Sequence, residues 1–253
     1  MIRIRATFAA TILAAAVVTA SAMAEAPEDP WEETNRELFA FNVGLDKAVV
    51  RPVSRGYRTV MPGPVRSGVS NALENLTEPR TFLNNIMQGD AEAAWHTFLR
   101  FTINSTVGLG GVFDVTTAGN FERRKEDFGQ TLAVWGVESG PYMMLPLFGP
   151  SNGRDTAGFV VDTVTDPFSY VFGFVPAVAR AGTEIVDNRS EVIEESESLE
   201  NTAIDLYASV RTLYRQNREH EIRNGAPPPL DDLYQDLDLK KDIQVTFPRA
   251  KTN

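Results

Sequence analysis

Asp29-Pro30-Trp31-Glu32-Glu33-Thr34-Asn35-Arg36, continuing through Leu38, Phe41, Asn42, Leu45 and Val49 to Pro52, is the stretch from which the fold class is read. Asp29 stands as an N-cap, Pro30 at the first helical position and Glu32 three residues after the cap. In this capping-box order, side-chain oxygens satisfy the free N–H groups of the first turn. Trp31, Leu38, Phe41, Leu45 and Val49 then recur at a spacing of about 3.6 residues, which places them on one helix face. Pro52 is expected to end that helix, because it lacks an N–H and its ring collides with the preceding turn.

The same pattern extends downstream. Val65, Val69, Leu73 and Leu76 predict a second helix stopped at Pro79, and Phe82, Leu83, Ile86 and Met87 a third closed by Gly89. Asp90 caps a fourth, carrying Ala94, Trp95, Phe98, Ile103 and Val107. The run Gly108 to Phe113 is too glycine-rich to stay helical, since glycine costs about 1 kcal/mol in a helix interior. It reads as a bend or a close-packing site. After Arg123-Arg124-Lys125, the apolar runs Leu132 to Val137 and Tyr142 to Leu147 flank the turn Glu138-Ser139-Gly140-Pro141 and predict a short hairpin-like loop. Helices are expected from Arg154 to Val164 and, as one long element, from Ile185 to about Arg223. The long one is acidic in its first half, basic in its second, and stopped by Gly225. The fold class is mainly α: a compact bundle of amphipathic helices with one short hairpin-like loop.

Composition narrows the chemistry. The 253 residues suffice for one substantial core or at most two small ones. The absence of cysteine excludes disulfides, thiol nucleophiles, Cys-ligated metals and acylation at cysteine. Two histidines, His96 and His220, exclude an imidazole-rich metal centre. A net charge of −10 and a pI near 4.8 argue against a phosphate-backbone footprint, so no nucleic-acid partner is expected. Residues 1–24 read as a signal peptide, with Arg3 and Arg5 before an apolar run and Ala22-Met23-Ala24 as the cleavage site. Cleavage leaves a net charge of −12. One helical domain is expected over 25–225 and an acidic surface tail over 226–253. Beyond Ala24 no apolar run reaches the roughly 18–20 residues needed to cross a bilayer. Tyr142 to Pro150 and Phe168 to Ala179 have the intermediate length of buried core segments or of backbone shielded at membrane depth.

Catalytic patterns are sparse. Gly149-Pro150-Ser151-Asn152-Gly153 matches the G-x-S-x-G nucleophile elbow. Pro146 and Pro150 disrupt the strand that elbow requires, and the chain lacks the alternation of strands and helices around it. A proline-glycine turn before a helix is the expected reading. Asp166, followed by Pro167, reads as a cap rather than as an acid–base partner of Asp162, and His96 as a structural histidine. No metal or cofactor is expected.

The residues themselves resemble a family. Asp29-Pro30-Trp31-Glu32 with Asn35-Arg36, Phe41-Asn42 and Arg51-Pro52-Val53, then Val60-Met61-Pro62, Glu78-Pro79, Gln88-Gly89-Asp90, Asn104-Ser105-Thr106-Val107-Gly108, Asp127-Phe128-Gly129 and Gly140-Pro141-Tyr142 with Leu145-Pro146, resemble the VacJ/MlaA family of outer-membrane phospholipid-transport proteins over roughly Asp29 to Tyr214. The resemblance implies a ring-like helical protein in the inner leaflet of the outer membrane with a central amphipathic channel. It implies removal of mislocalised phospholipid from the outer leaflet, delivery to a periplasmic carrier protein, and association with a trimeric porin, without covalent chemistry. It also assigns candidate positions. Gly136, Gly140, Pro141, Leu145 and Pro146 fall in the loop at the channel, and Arg180 falls at a cationic channel position able to attract phosphate, the alternative being an ordinary helix-flanking cation. Leu38, Phe41, Asn42 and Leu45 fall in the N-terminal helix motif. The missing cysteine departs from the lipoproteins of the family and leaves membrane attachment to apolar helix faces. A lipid hydrolase acting through Ser151 and a structural envelope protein that shapes porin assemblies are the alternatives.

Overall fold

The computed structural model describes residues 29–119, 121 and 123–227. The expected signal peptide with its cleavage site, and the tail beyond 227, lie outside the described residues. Among the described residues are ten α-helices and one two-stranded antiparallel sheet, so the chain is mainly α.

Helix α1 (Glu32–Leu45) does not stop at Pro52. A π turn over Asp46–Val50 carries it directly into α2 (Arg51–Val60). The Arg51 N–H donates to the carbonyl of Asp46, five residues back, and this one-residue widening just before Pro52 lets the helical path absorb the proline. The expected cap is also corrected. Trp31 holds the N-cap position without a side-chain cap bond, and Asp29 turns inward to a more distant set of donors.

Helix α3 (Gly63–Gln88) runs through Pro79, where two separate helices were expected. It packs along its length against α4 (Ala91–Thr106), and tertiary contact on both sides of the proline outweighs the one lost ladder bond. Gly89, at φ 79°, supplies the left-handed C-cap, and the Asp90 carboxylate accepts from the Ala93 N–H, as expected. The glycine run after α4 is a tight turn: Gly110 and Gly111 have φ of 72° and 89°, and a Cβ on Gly111 would fall 2.4 Å from the Asn75 side chain.

The next region departs most from expectation. Phe128–Val134 is a helix, α5, capped by Asp127. The partner of β1 (Tyr142–Leu145) is β2 (Gly149–Asn152), not the run from Leu132. The hairpin therefore turns at Pro146-Leu147-Phe148, aided by positive φ at Leu147 and Gly149. The Asn152 side chain then caps α6 (Gly153–Thr165), which is followed by α7 (Pro167–Phe172) and α8 (Phe174–Glu191). The expected single C-terminal helix is broken into the end of α8, α9 (Ile193–Thr202) and α10 (Leu206–Ile222). The acidic residues explain the breaks. Glu194, Glu197 and Glu200 of α9 face Arg58, Arg55, Arg51 and Lys47, while Asp205 caps α10 and pairs with Arg36.

The interior is largely polar. Among the described residues the buried apolar side chains are Ala94, Phe128, Leu132, Tyr142, Met144, Ile193 and Tyr207, whereas buried polar and charged side chains outnumber them about three to one. Arg100 and Glu78, each only 2% exposed, form one of the central pairs; Arg100 also holds Asp114 and Arg123 also holds Glu78. Burial pushes the Glu78 carboxyl up to about 7 against the attraction of Arg100. Large apolar side chains crowd the outside instead.

Candidate functional site

The hairpin is held by two asparagines of α1. The Asn35 Nδ2 donates to the Tyr142 carbonyl at 3.2 Å, and the Met144 N–H donates to Asn35 Oδ1 at 2.8 Å. The Asn42 Nδ2 donates to the Leu145 carbonyl at 2.9 Å, and the Leu147 N–H donates to Asn42 Oδ1 at 2.8 Å. Each carboxamide imitates a peptide group of a neighbouring strand. The spacing makes this possible, since seven residues of helix rise about 10.5 Å and three residues of strand about 10 Å. The free edge of a two-stranded sheet, marginal by itself, is thereby covered.

The latch is anchored from behind. The Asp29 carboxylate, its side chain only 3% exposed, accepts from Asn35 Nδ2 at 2.8 Å, from the Tyr207 hydroxyl and from Arg211 at 2.8 Å, tying the start of α1 to α10. Burial alone would raise the Asp29 carboxyl, but these donors together outweigh it and hold it below its ordinary range. Tyr142 and Met144 pack with Tyr207, and Leu38, Phe39 and Tyr214 lie against them. On the β2 side, Asn152 Nδ2 reaches Asp155 at 2.7 Å, and Arg218 of α10 clamps both Asp155 and Asp127 at 2.7–3.0 Å. This clamp fits because Gly129 and Gly158 let α5 and α6 touch: a Cβ on Gly158 would lie 2.3 Å from the Gly129 nitrogen.

The sequence-derived positions fall into three groups. Leu38, Asn42 and Leu145 meet at the α1–hairpin contact, with Phe41 exposed beside it; Leu45 is the last residue of α1 and Pro146 opens the hairpin turn. Gly136 and Gly140, at φ of 85° and 67°, shape the approach to the hairpin, with Pro141 leading into β1; the Arg154 N–H donates to the Ser139 carbonyl there. Arg180 sits apart on α8, 3.5 Å from Asp166 and with its guanidinium 5.0 Å from the Phe168 ring centroid. Asp166 also caps α7. Ser151 is buried on β2, its Oγ 2.9 Å from the Thr156 hydroxyl, and His96 packs edge-on against Phe121.

Around this framework runs an apolar exterior. Tyr170, Val171, Phe172, Phe174, Val175 and Val178 of α7 and α8 are exposed, Phe174 to 81%. Leu147 and Phe148 project from the hairpin turn, with the Phe148 ring tilted against exposed Phe159 at a centroid distance of 4.7 Å. No helix among the described residues is long and apolar enough to cross a membrane.

The family profile described as MlaA lipoprotein matches residues 27–221. The chain belongs to the MlaA lipoprotein family. It is 33% identical over 201 residues to the intermembrane phospholipid transport system lipoprotein MlaA of Haemophilus influenzae, covering 78% of this chain and 80% of that protein. To the protein of the same description from Escherichia coli K12 it is 33% identical over 208 residues, covering 81% and 82%. A solved structure concerned with the maintenance of bacterial outer membrane lipid asymmetry matches with a TM-score of 0.70 and 34% identity, covering 78% of this chain and all of that one. These relatives are named lipoproteins, whereas the present sequence contains no cysteine.

Sequence reasoning for this MlaA family member found Asn42 but missed Asn35 and the inward turn of Asp29. The seven-residue spacing of the two asparagines on one helix face was the available signal. Nothing local revealed that a strand would lie across them.

Proposed function

We propose that this protein is the outer-membrane component of an intermembrane phospholipid transport system. It sits in the inner leaflet, receives mislocalised phospholipid from the outer leaflet through a central amphipathic channel, and passes it to a periplasmic carrier protein, with a trimeric porin as its membrane partner. The observation that carries this reading is the inverted distribution of polarity: buried polar networks inside and large apolar side chains outside. A protein surrounded by acyl chains gains by exposing such residues, whereas in water each would incur a hydration cost. The relatives' names and the solved structure's subject support the same substrate. Transport in this scheme needs no covalent step, and Ser151, bonded to Thr156, offers the hydrolase alternative no activated nucleophile.

In this mechanism acyl chains follow the apolar surface while the head group follows polar side chains, and the Arg180 guanidinium attracts phosphate by exchanging part of its pairing with Asp166. The hairpin, fixed by Asn35 and Asn42, sets the width of the path. The deciding experiment is mass spectrometry of lipid retained by protein extracted gently from membranes, with outer-leaflet phospholipid measured in a deletion strain. Retained phospholipid and outer-leaflet accumulation are expected; lipid-free protein and an unchanged outer leaflet would refute the reading. Arg180→Glu should slow transport, and an unaltered rate would remove Arg180 from the path.

A further inference from the structure

A cavity of about 60 Å³ lies between α3, α8 and the segment leading to α5, with room for roughly four to six waters at 10–15 Å³ each. Two cations, Arg80 and Lys125, and four carboxyl groups, Glu74, Glu126, Glu184 and Asp187, line it. Several are already engaged. Lys125 and Arg123 pair with Glu74, and Glu126 accepts from Gln88 at 2.9 Å.

Three are not fully used. The Arg80 Nε is buried without a hydrogen-bond partner, and its guanidinium makes no ion pair among the described residues. Asp162 is near enough to feel the Arg80 charge but accepts instead from Asn84 and the Phe128 N–H. Glu184 has no ion pair among the described residues, and buried Asp187 accepts one bond, from the Tyr57 hydroxyl at 2.9 Å. A buried N–H without a partner is costly, and so is a partly buried carboxylate without a cation.

The combination discriminates between ligands. A monoanion attracted to Arg80 would meet an excess of carboxylates, whereas a zwitterion carries its own cation to them. We propose that this cavity receives a phosphoethanolamine head group, the phosphodiester against the Arg80 guanidinium and the primary ammonium against Glu184 and Asp187. The protein thus prefers zwitterionic amino-phospholipid over anionic phosphatidylglycerol. This inference rests on the phospholipid-transport reading and adds to it a head group and the residues that select it.

The test uses the full chain in mild detergent, incubated with micelles holding equal amounts of dioleoyl phosphatidylethanolamine and dioleoyl phosphatidylglycerol, repurified and analysed by mass spectrometry. Retained lipid should favour phosphatidylethanolamine by about fivefold, the scale of one partly exposed ion pair. Glu184→Gln, which removes no bond present in the fold, should reduce that bias to about twofold or less, and Asp187→Asn should act in the same direction. Arg80→Gln should lower retention of both lipids. Equal retention by the wild type, or a bias untouched by both carboxylate substitutions, overturns the head-group site and leaves lipid transport standing. Failure of the folded wild type to retain either lipid overturns both. Free O-phosphoethanolamine, titrated alone by calorimetry, separates the sources: weak or absent binding beside retained phosphatidylethanolamine supports a lipid ligand, and tight binding of the free compound would assign the cavity to a soluble phosphoamine.

Discussion

The carboxamides of Asn35 and Asn42 complete the hydrogen bonding of a strand edge, and their environments differ. Asn35 is buried and also binds Asp29, whereas water reaches the Leu147 amide once Asn42 is removed. Asn42→Ala should therefore cost about 1 kcal/mol and Asn35→Ala about 2–3 kcal/mol, the difference being the cost of stranding buried donors and acceptors. Urea unfolding measures the totals, and amide exchange at Met144 and Leu147 locates them; exchange unchanged in both variants would refute the latch. Asp29 gives a pH prediction. Its folded carboxyl lies below the ordinary 3.8, so its contribution is complete above that value and is lost as the pH falls through the folded value. Asp29→Asn should lower the melting temperature at pH 7 and flatten its decline in acid. A parallel acid profile would show that the Tyr207 and Arg211 contacts carry no linkage.

Close contacts, more than propensity, fix the helices. Gly158→Ala places a methyl group against the Gly129 backbone, a neighbour that cannot rotate away. It should cost about 1–3 kcal/mol or more by the usual scale of overpacking. Gly182→Ala, exposed in α8 with open space around it, should instead stabilise by about 0.4–1 kcal/mol through the less flexible unfolded chain. Thermal or chemical unfolding of the two variants should give opposite signs. Helix caps at Gly89, Asp90 and Asp205 are local devices, and the first two were legible in the sequence. Continuity through Pro52 and Pro79 was not, because a proline's local cost is visible in sequence while the packing that offsets it is not.

Across the whole molecule, the exposed residues of α7 and α8 and of the hairpin turn make one testable statement about environment. Phe174→Glu or Val175→Lys should reduce co-sedimentation with phospholipid vesicles while leaving the circular dichroism unchanged, because a charge moved against acyl chains must keep its hydration. Binding that survives both substitutions would place the contact surface elsewhere.

The sequence by itself determined that this chain is mainly helical, where several caps lie, and which family it belongs to, because capping residues, apolar period and motif order are local properties of the chain. Only the tertiary structure decided that Tyr142–Leu145 pairs with Gly149–Asn152, that Asn35 and Asn42 bind it from 103–109 residues away, and that Arg180 faces Asp166. It also decided which way the stripes face. A period near 3.6 says which side chains share a face, but the same stripe serves a core or a lipid-facing surface. Here the polar side chains took the interior, where Arg100, Glu78, Asp155 and Arg218 satisfy one another, and the apolar ones were left to meet the surroundings.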